Sequence, residues 1–236
     1  MVIRILAYGG SIISTPYSST GYNKNAINNL KKIIRKYPED KFIIVIGGGL
    51  LAKKLIEEEC DKNTSDFDKD LIGIKATKIN AKHTLHEIKK NIHGIFPEVL
   101  SKPQNITKFK ERVFVCGGWK PGRSTDYVAL KFAEKNSTNL IYKITNVKEI
   151  LDVKPKEFDK NKKEKYSRIK NPTWNKIVNL VDDKWVPRLN TPIDPKAAKL
   201  GLKLSTTNKK GFIMFFGKKE DITKMFENKF KGIIIK

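Results

Sequence analysis

Phe42-Ile43-Ile44-Val45-Ile46-Gly47-Gly48-Gly49-Leu50-Leu51-Ala52-Lys53 joins an unbroken apolar run to three glycines and then to helix-forming residues. Five apolar residues without polar alternation read as a strand buried on both faces, as in parallel sheets covered by helices. The pattern recurs. Val2-Ile3-Arg4-Ile5-Leu6-Ala7-Tyr8 runs into Gly9-Gly10-Ser11, and Val113-Phe114-Val115-Cys116 runs into Gly117-Gly118. In an α/β sheet the ends of such strands lie side by side, and ligands bind in the crevice outside them. Glycine lets backbone N–H groups approach a phosphate, and a following helix adds its positive end. Three such ends predict a crevice for two phosphorylated molecules.

The rest of the chain fits strands alternating with helices. Ala26, Ile27, Leu30, Ile33 and Ile34 are spaced as one helical face, giving a helix over 23–35. Further helices are expected over 50–59, 66–92, 127–135, 174–180 and 222–230. The long one carries Leu71, Ile74, Thr77, Ala81, Leu85 and Ile88 on one stripe. Asp126 is read as the N-cap of the helix at 127–135. Asp194-Pro195 starts another helix, with Gly201 a weak point inside it. Strands are expected at 140–144, 212–216 and 232–235. Residues 12–22 read as a loop, and 94–112 as a short helix around Val99 plus a linker. The predicted architecture is α/β: a three-layer sandwich around a central, mostly parallel sheet. One domain is expected over 1–236, with a basic surface excursion at 147–176 that contains a short ribbon or turn.

Composition bounds the partners. Formal net charge is +23, from 48 basic against 25 acidic residues. Only six of the basic residues are arginine, and base-reading sites enlist arginine for its planar fork, so sequence-specific DNA recognition is disfavoured. AT-rich coding favours lysine, asparagine and isoleucine and accounts for the excess without any partner. Nonspecific binding to nucleic acid or another polyanion is the competing explanation. No apolar stretch has the length of a membrane span, and the first residues enter a strand without a signal-peptide pattern. Cys60 and Cys116 form no CxxC pair, so a reducing, cytoplasmic location is expected.

The third glycine loop is richest in chemistry: Gly117-Gly118-Trp119-Lys120-Pro121-Gly122-Arg123-Ser124-Thr125-Asp126. It offers backbone donors, two hydroxyls, two cations and a helix start, the parts of a phosphate cradle. A Gly/Pro turn that merely caps a helix is the plainer reading of the same residues. Lys53 is placed in the first turn of its helix, where a cation opposes the helix dipole, so contact with phosphate charge is its functional reading. There is neither a Walker GxxxxGK[ST] nor a GxGxxG after the first strand. His83 and His86 share a helix face without a third ligand nearby, and read as ordinary surface or partly buried histidines.

These motifs, taken in order, resemble the amino acid kinase superfamily, and within it the uridylate (UMP) kinases of archaeal type. The matching stretches begin with Tyr8-Gly9-Gly10-Ser11, Val45-Ile46-Gly47-Gly48-Gly49 and Leu51-Ala52-Lys53. They continue with Asp70-Leu71-Ile72-Gly73-Ile74, Thr77-Lys78 and Asn80-Ala81. The last are Gly117-Gly118 through Thr125-Asp126, Thr145-Asn146-Val147, and Ile193-Asp194-Pro195 with Ala197-Ala198-Lys199. The resemblance implies transfer of the ATP γ-phosphate to UMP, with magnesium, by a hexamer. It places Gly9, Gly10, Gly49, Lys53 and Thr145 at ATP, together with Leu151 and Lys154 in the segment that follows. It places Gly48, Asp70, Trp119, Lys120, Pro121, Gly122, Arg123, Ser124 and Thr125 at UMP. Lys53 and Asp126 are the candidate catalytic side chains, and no metal ligand set is assigned.

The chain departs from the family pattern in places. Leu151 and Lys154 stand where an aromatic and an acidic residue are usual after Thr145-Asn146-Val147. Trp119 replaces a threonine, Lys53 an arginine, and Ala7 a lysine that many relatives carry. Two alternatives follow. One is a catalytically degenerate binding or assembly subunit using the basic stretch 147–176. The other is a kinase for a different small acceptor. Ile46, standing where the isoprenoid-phosphate kinases have histidine, disfavours that branch.

Overall fold

The computed structural model describes residues 1–15, 21–147, 149–154, 157–181 and 193–236. Its main sheet has seven strands. In chain order they are β1 (Ile3–Tyr8), β2 (Lys41–Ile46), β3 (Ile95–Leu100), β4 (Val113–Cys116), β5 (Leu140–Ile144), then β8 (Ile213–Gly217) and β9 (Ile233–Ile235). Their spatial order is β3-β4-β2-β1-β5-β8-β9. All pairings are parallel except β8–β9. β1 is the switch point: the chain first builds outward through β2, then returns to its other side with β5. Every residue of β2 is buried, as its unbroken apolarity requires.

Helices cover both faces. One core layer joins the sheet to α5 (Thr125–Lys135), α6 (Trp174–Leu180) and α7 (Pro195–Thr207). The opposite layer joins it to α2 (Lys24–Lys36), α4 (Asp66–Lys89) and α8 (Ile222–Phe226). A short α1 (Gly10–Ile13) and α3 (Gly49–Glu59) start directly at the first two glycine loops. The expected three-layer α/β sandwich is therefore present. Two two-residue strands, β6 (Ile150–Leu151) and β7 (Arg168–Ile169), pair as an antiparallel ribbon outside the main sheet. Among the described residues no helix is long and apolar enough to cross a membrane.

Several local expectations need correction. The segment around Val99 is a strand, not a helix. Pro97 cannot donate to a ladder, and β3 tolerates it because it is the sheet edge. The loop expected at 12–22 begins as the helical turn α1, which buries Ile12 and Ile13; residues 16–20 lie outside the described set. Leu71, expected on the buried stripe of α4, is exposed, and the buried stripe consists of Ala76, Thr77, Asn80, Ala81, Thr84, Leu85 and Ile88. α5 is capped by Ser124, whose hydroxyl accepts the Tyr127 N–H at 3.1 Å; Asp126 sits inside the first turn. α8 stops at Phe226, and Asn228 just beyond adopts a left-handed backbone at φ 55°.

Gly201 lies inside an unbroken α7. It is the place where Trp174 packs. The Trp174 ring is fully buried, donates its indole N–H to Phe212 O at 2.8 Å, and would lie 2.2 Å from a Cβ at position 201. Overpacking of that kind destabilises by about 1–3 kcal/mol, more than the roughly 1 kcal/mol that alanine gains over glycine in helix propensity. Gly201→Ala is therefore expected to lower the urea midpoint. An unchanged or raised midpoint contradicts the packing role.

Candidate active site

The first two glycine loops meet backbone to backbone at the C-terminal edge of the sheet. Gly9 N–H donates to Ile144 O at 2.8 Å and Gly47 N–H to Tyr8 O at 2.9 Å, so the ladder continues past the strands. A Cβ on Gly10 would sit 2.2 Å from Gly49 N, and Gly49 itself has φ 55°. No side chain fits at either position. Ser14, unremarked in the sequence, ties the two loops together: its hydroxyl donates to Gly10 O at 2.9 Å and accepts the Leu50 N–H at 3.2 Å.

One face of α4 fixes the other loops. Asn80 Nδ2 donates to Gly47 O and Gly48 O, both at 2.9 Å. Thr77 Oγ1 accepts the Gly118 N–H at 2.6 Å and donates to Ile74 O. Two turns earlier on the same helix, Asp70 accepts the Gly122 N–H at 2.5 Å. Gly122 turns the third loop with φ 68°. Arg123 lies over the Tyr127 ring at 4.9 Å and donates to Gly122 O.

These parts enclose a cleft of about 440 Å³, within the range of small-molecule sites. From the predicted set it is lined by Gly10, Gly48, Gly49, Lys53, Asp70, Lys120, Arg123, Ser124, Thr125 and Asp126. Gly9 and Thr145 stand immediately behind, at the ends of β1 and β5; Thr145 N–H donates to Gly217 O at 2.9 Å. Pro121 and Gly122 shape the third loop from outside the lining. Trp119 turns away and packs against the core layer of α5, α6 and α7. Leu151, half-buried in the ribbon opposite Arg168, and the exposed Lys154 do not line this cleft. Lys53 sits just past the first turn of α3. It is more than half exposed and 3.9 Å from Glu57.

Four further charged side chains belong to the site that sequence reasoning did not place there. Lys69 and Asp194 line the cleft. Lys196 holds its ammonium beside Gly122, and burial next to Arg123 lowers its pKa. Lys143 forms an ion pair with Asp126. Lys143 carried a signal, as the single charge in the apolar run Leu140-Ile141-Tyr142-Lys143-Ile144. Lys69 is one lysine among many and carried none.

Two helix N-termini converge on the cleft floor. Ser124 caps α5, and Asp194 caps α7 by accepting the Lys196 and Ala197 N–H groups, both at 3.0 Å. The two caps are themselves joined, with Ser124 Oγ donating to Asp194. Burial pushes the Asp194 carboxyl above its ordinary value. The hydrogen bonds from Ser124 and Ala197 pull it back, and the Asp126 charge adds to the rise. A carboxylate raised on folding contributes stability below its unfolded pKa of 3.8 and loses it as pH rises through the folded value. Asparagine caps about as well as aspartate but carries no charge. The stability of Asp194→Asn relative to wild type is therefore expected to improve as pH rises through that window in urea titrations. A difference independent of pH, or one moving toward the wild type, contradicts the desolvation account.

The profile of the Amino acid kinase family matches residues 3–203. The uridylate kinase of Pyrococcus abyssi is 31% identical over 216 residues, spanning 84% of this chain and 89% of that protein. The uridylate kinase of Methanococcus aeolicus is 27% identical over 98% of both chains. Among solved structures, the uridylate kinase from Archaeoglobus fulgidus superposes over the full length of both chains with a TM-score of 0.74 at 23% identity. Its likeness concerns the fold. A matched profile over most of the chain and a relative at this identity establish that the chain belongs to the amino acid kinase family, with its resemblance on the uridylate kinase side.

Proposed function

We propose that the chain transfers the γ-phosphate of ATP to UMP, giving UDP and ADP. The observation that carries this reading is the asymmetry of the cleft. On one side, Gly10 and Gly49 present bare backbone, with Lys53 on the helix that follows. On the other, Lys120, Arg123 and the α5 N-terminus offer fixed positive potential for a monophosphate. Asp70 stands at the edge between these regions, where a carboxylate suits a sugar hydroxyl. Relatives named uridylate kinase along nearly the whole chain support UMP as acceptor.

The transfer needs no protein nucleophile. An oxygen of the acceptor phosphate attacks the γ-phosphorus as the bond to the ADP oxygen breaks, and catalysis is positioning plus stabilisation of spread negative charge. The cleft carboxylates are already engaged: Asp70 by Gly122, Asp126 by Lys143, and Asp194 by Ser124 and α7. That donor set suits a magnesium ion that arrives on the nucleotide and keeps its waters, not one caged by protein. Bound there, the ion neutralises phosphate charge. The assembly in this reading is a cytoplasmic hexamer.

An ADP-release assay with UMP, CMP and purine monophosphates tests the activity. Turnover with UMP in preference to the others is expected. Absence of turnover with every acceptor favours a binding subunit instead. Asp70→Ala is expected to raise the KM for UMP about 10–100-fold, as for loss of a charged hydrogen bond, while largely sparing ATP. Equal losses for both nucleotides count against the assignment of Asp70.

A further inference from the structure

We propose that Lys143 is the cation that meets the phosphoryl group in transit, held in readiness by Asp126; this rests on the kinase reading above. Lysine is rarely buried unless paired. The Lys143 side chain is only 13% exposed and that of Asp126 14%. β5 pairs in register with both neighbours, so Lys143 lies beside Ala7 of β1 and Phe216 of β8 on the face covered by α5 and α7. Its ammonium reaches past the Phe216 ring, 5.8 Å away, to the first turn of α5.

That position adjoins both halves of the cleft, directly behind the lining residue Asp126. The next residue, Ile144, receives the Gly9 N–H of the first glycine loop. Asp126, its partner, ends the third loop and lines the cleft. The Asp194 carboxylate lies close enough to feel the Lys143 charge. One largely buried cation thus stands between the loop assigned to ATP and the loop assigned to UMP, paired with the Asp126 carboxylate.

The chemistry favours a lysine there. Negative charge in the transition state spreads over the equatorial oxygens of the phosphoryl group. An ammonium on a flexible stem, with three rotatable donors, turns from a carboxylate to those oxygens. Lys53 differs. It is 58% exposed, and water screens its charge.

Steady-state kinetics on Lys143→Met and on the double variant Asp126→Asn/Lys143→Met separate this role from a merely structural ion pair. The double variant removes both charges with near-isosteric side chains and leaves no buried carboxylate unpaired. Both are expected to lose kcat by about 10²–10³-fold, the scale for one preorganised electrostatic contact. KM for ATP and UMP is expected to hold, and the double variant to melt near the wild-type temperature. Recovery of kcat in the double variant overturns the proposal, as does a Lys143→Met enzyme with wild-type kcat or a loss confined to KM. Wild-type protein without turnover overturns the kinase reading and this inference with it. A wild type that turns over beside a recovered double variant overturns this inference alone.

Discussion

Gly10 and Gly49 touch backbone to backbone, and the site is arranged around that contact. A Cβ at position 10 would lie within 2.5 Å of the main chain of Gly47 and Gly49. The ends of β1 and β2 can approach this closely only because neither carries a side chain. The approach leaves Gly47 O without a partner in the sheet, whereas Gly48 O, at the start of α3, also accepts the Ala52 N–H at 3.2 Å. Asn80 supplies the donors, from a helix packed on the sheet. A buried polar group left without a partner costs about 1–3 kcal/mol, so the glycine contact and the Asn80 amide are mutually dependent.

The same reasoning extends along α4. Thr77, one turn from Asn80, takes the Gly118 N–H, and Asp70, two turns further toward the N-terminus, takes the Gly122 N–H. One rigid helix thereby sets the spacing of two glycine loops from different strands. The polar residues on its inner face do not pack a core; they carry hydrogen bonds to backbone that has run past the end of the sheet. This explains why an otherwise apolar helix stripe is interrupted by the buried Thr77 and Asn80; the buried Thr84 instead returns its hydroxyl to Asn80 O within the helix.

The strands and their glycine ends were legible because burial on both faces demands continuous apolarity, and β2 has it. The long helix was legible in extent but not in orientation: Leu71 fits a 3.6-residue repeat yet remains exposed, while Thr77 and Asn80 face inward. Periodicity counts apolar residues, and this helix uses its inner face for hydrogen bonds. β3 was missed because Pro97 and Glu98 interrupt it, which an edge strand permits. Of the site, the three loops were legible from glycine alone. Asp194 was visible only as a cap. Its junction with Ser124 joins residues seventy apart in the chain, a relation that no local pattern carries.

Charge divides into two populations with different physics. Most of the 48 basic residues stand in water, where two unit charges 4 Å apart interact by only about 1 kcal/mol and salt screens them beyond about 10 Å. Collectively they set a field that draws anions toward the surface, as net charge of one sign does. Such a field raises encounter rates and does not discriminate between points a few ångströms apart. Discrimination needs charges that water does not reach. Asp194 meets that condition and the Lys143–Asp126 pair, 13% and 14% exposed, comes close to it, between two helix N-termini and the sheet. At an effective dielectric near 20 the same separation is worth about 4 kcal/mol. The lysine excess that dominates the composition therefore says little about the site, whereas one lysine in an apolar strand says a good deal.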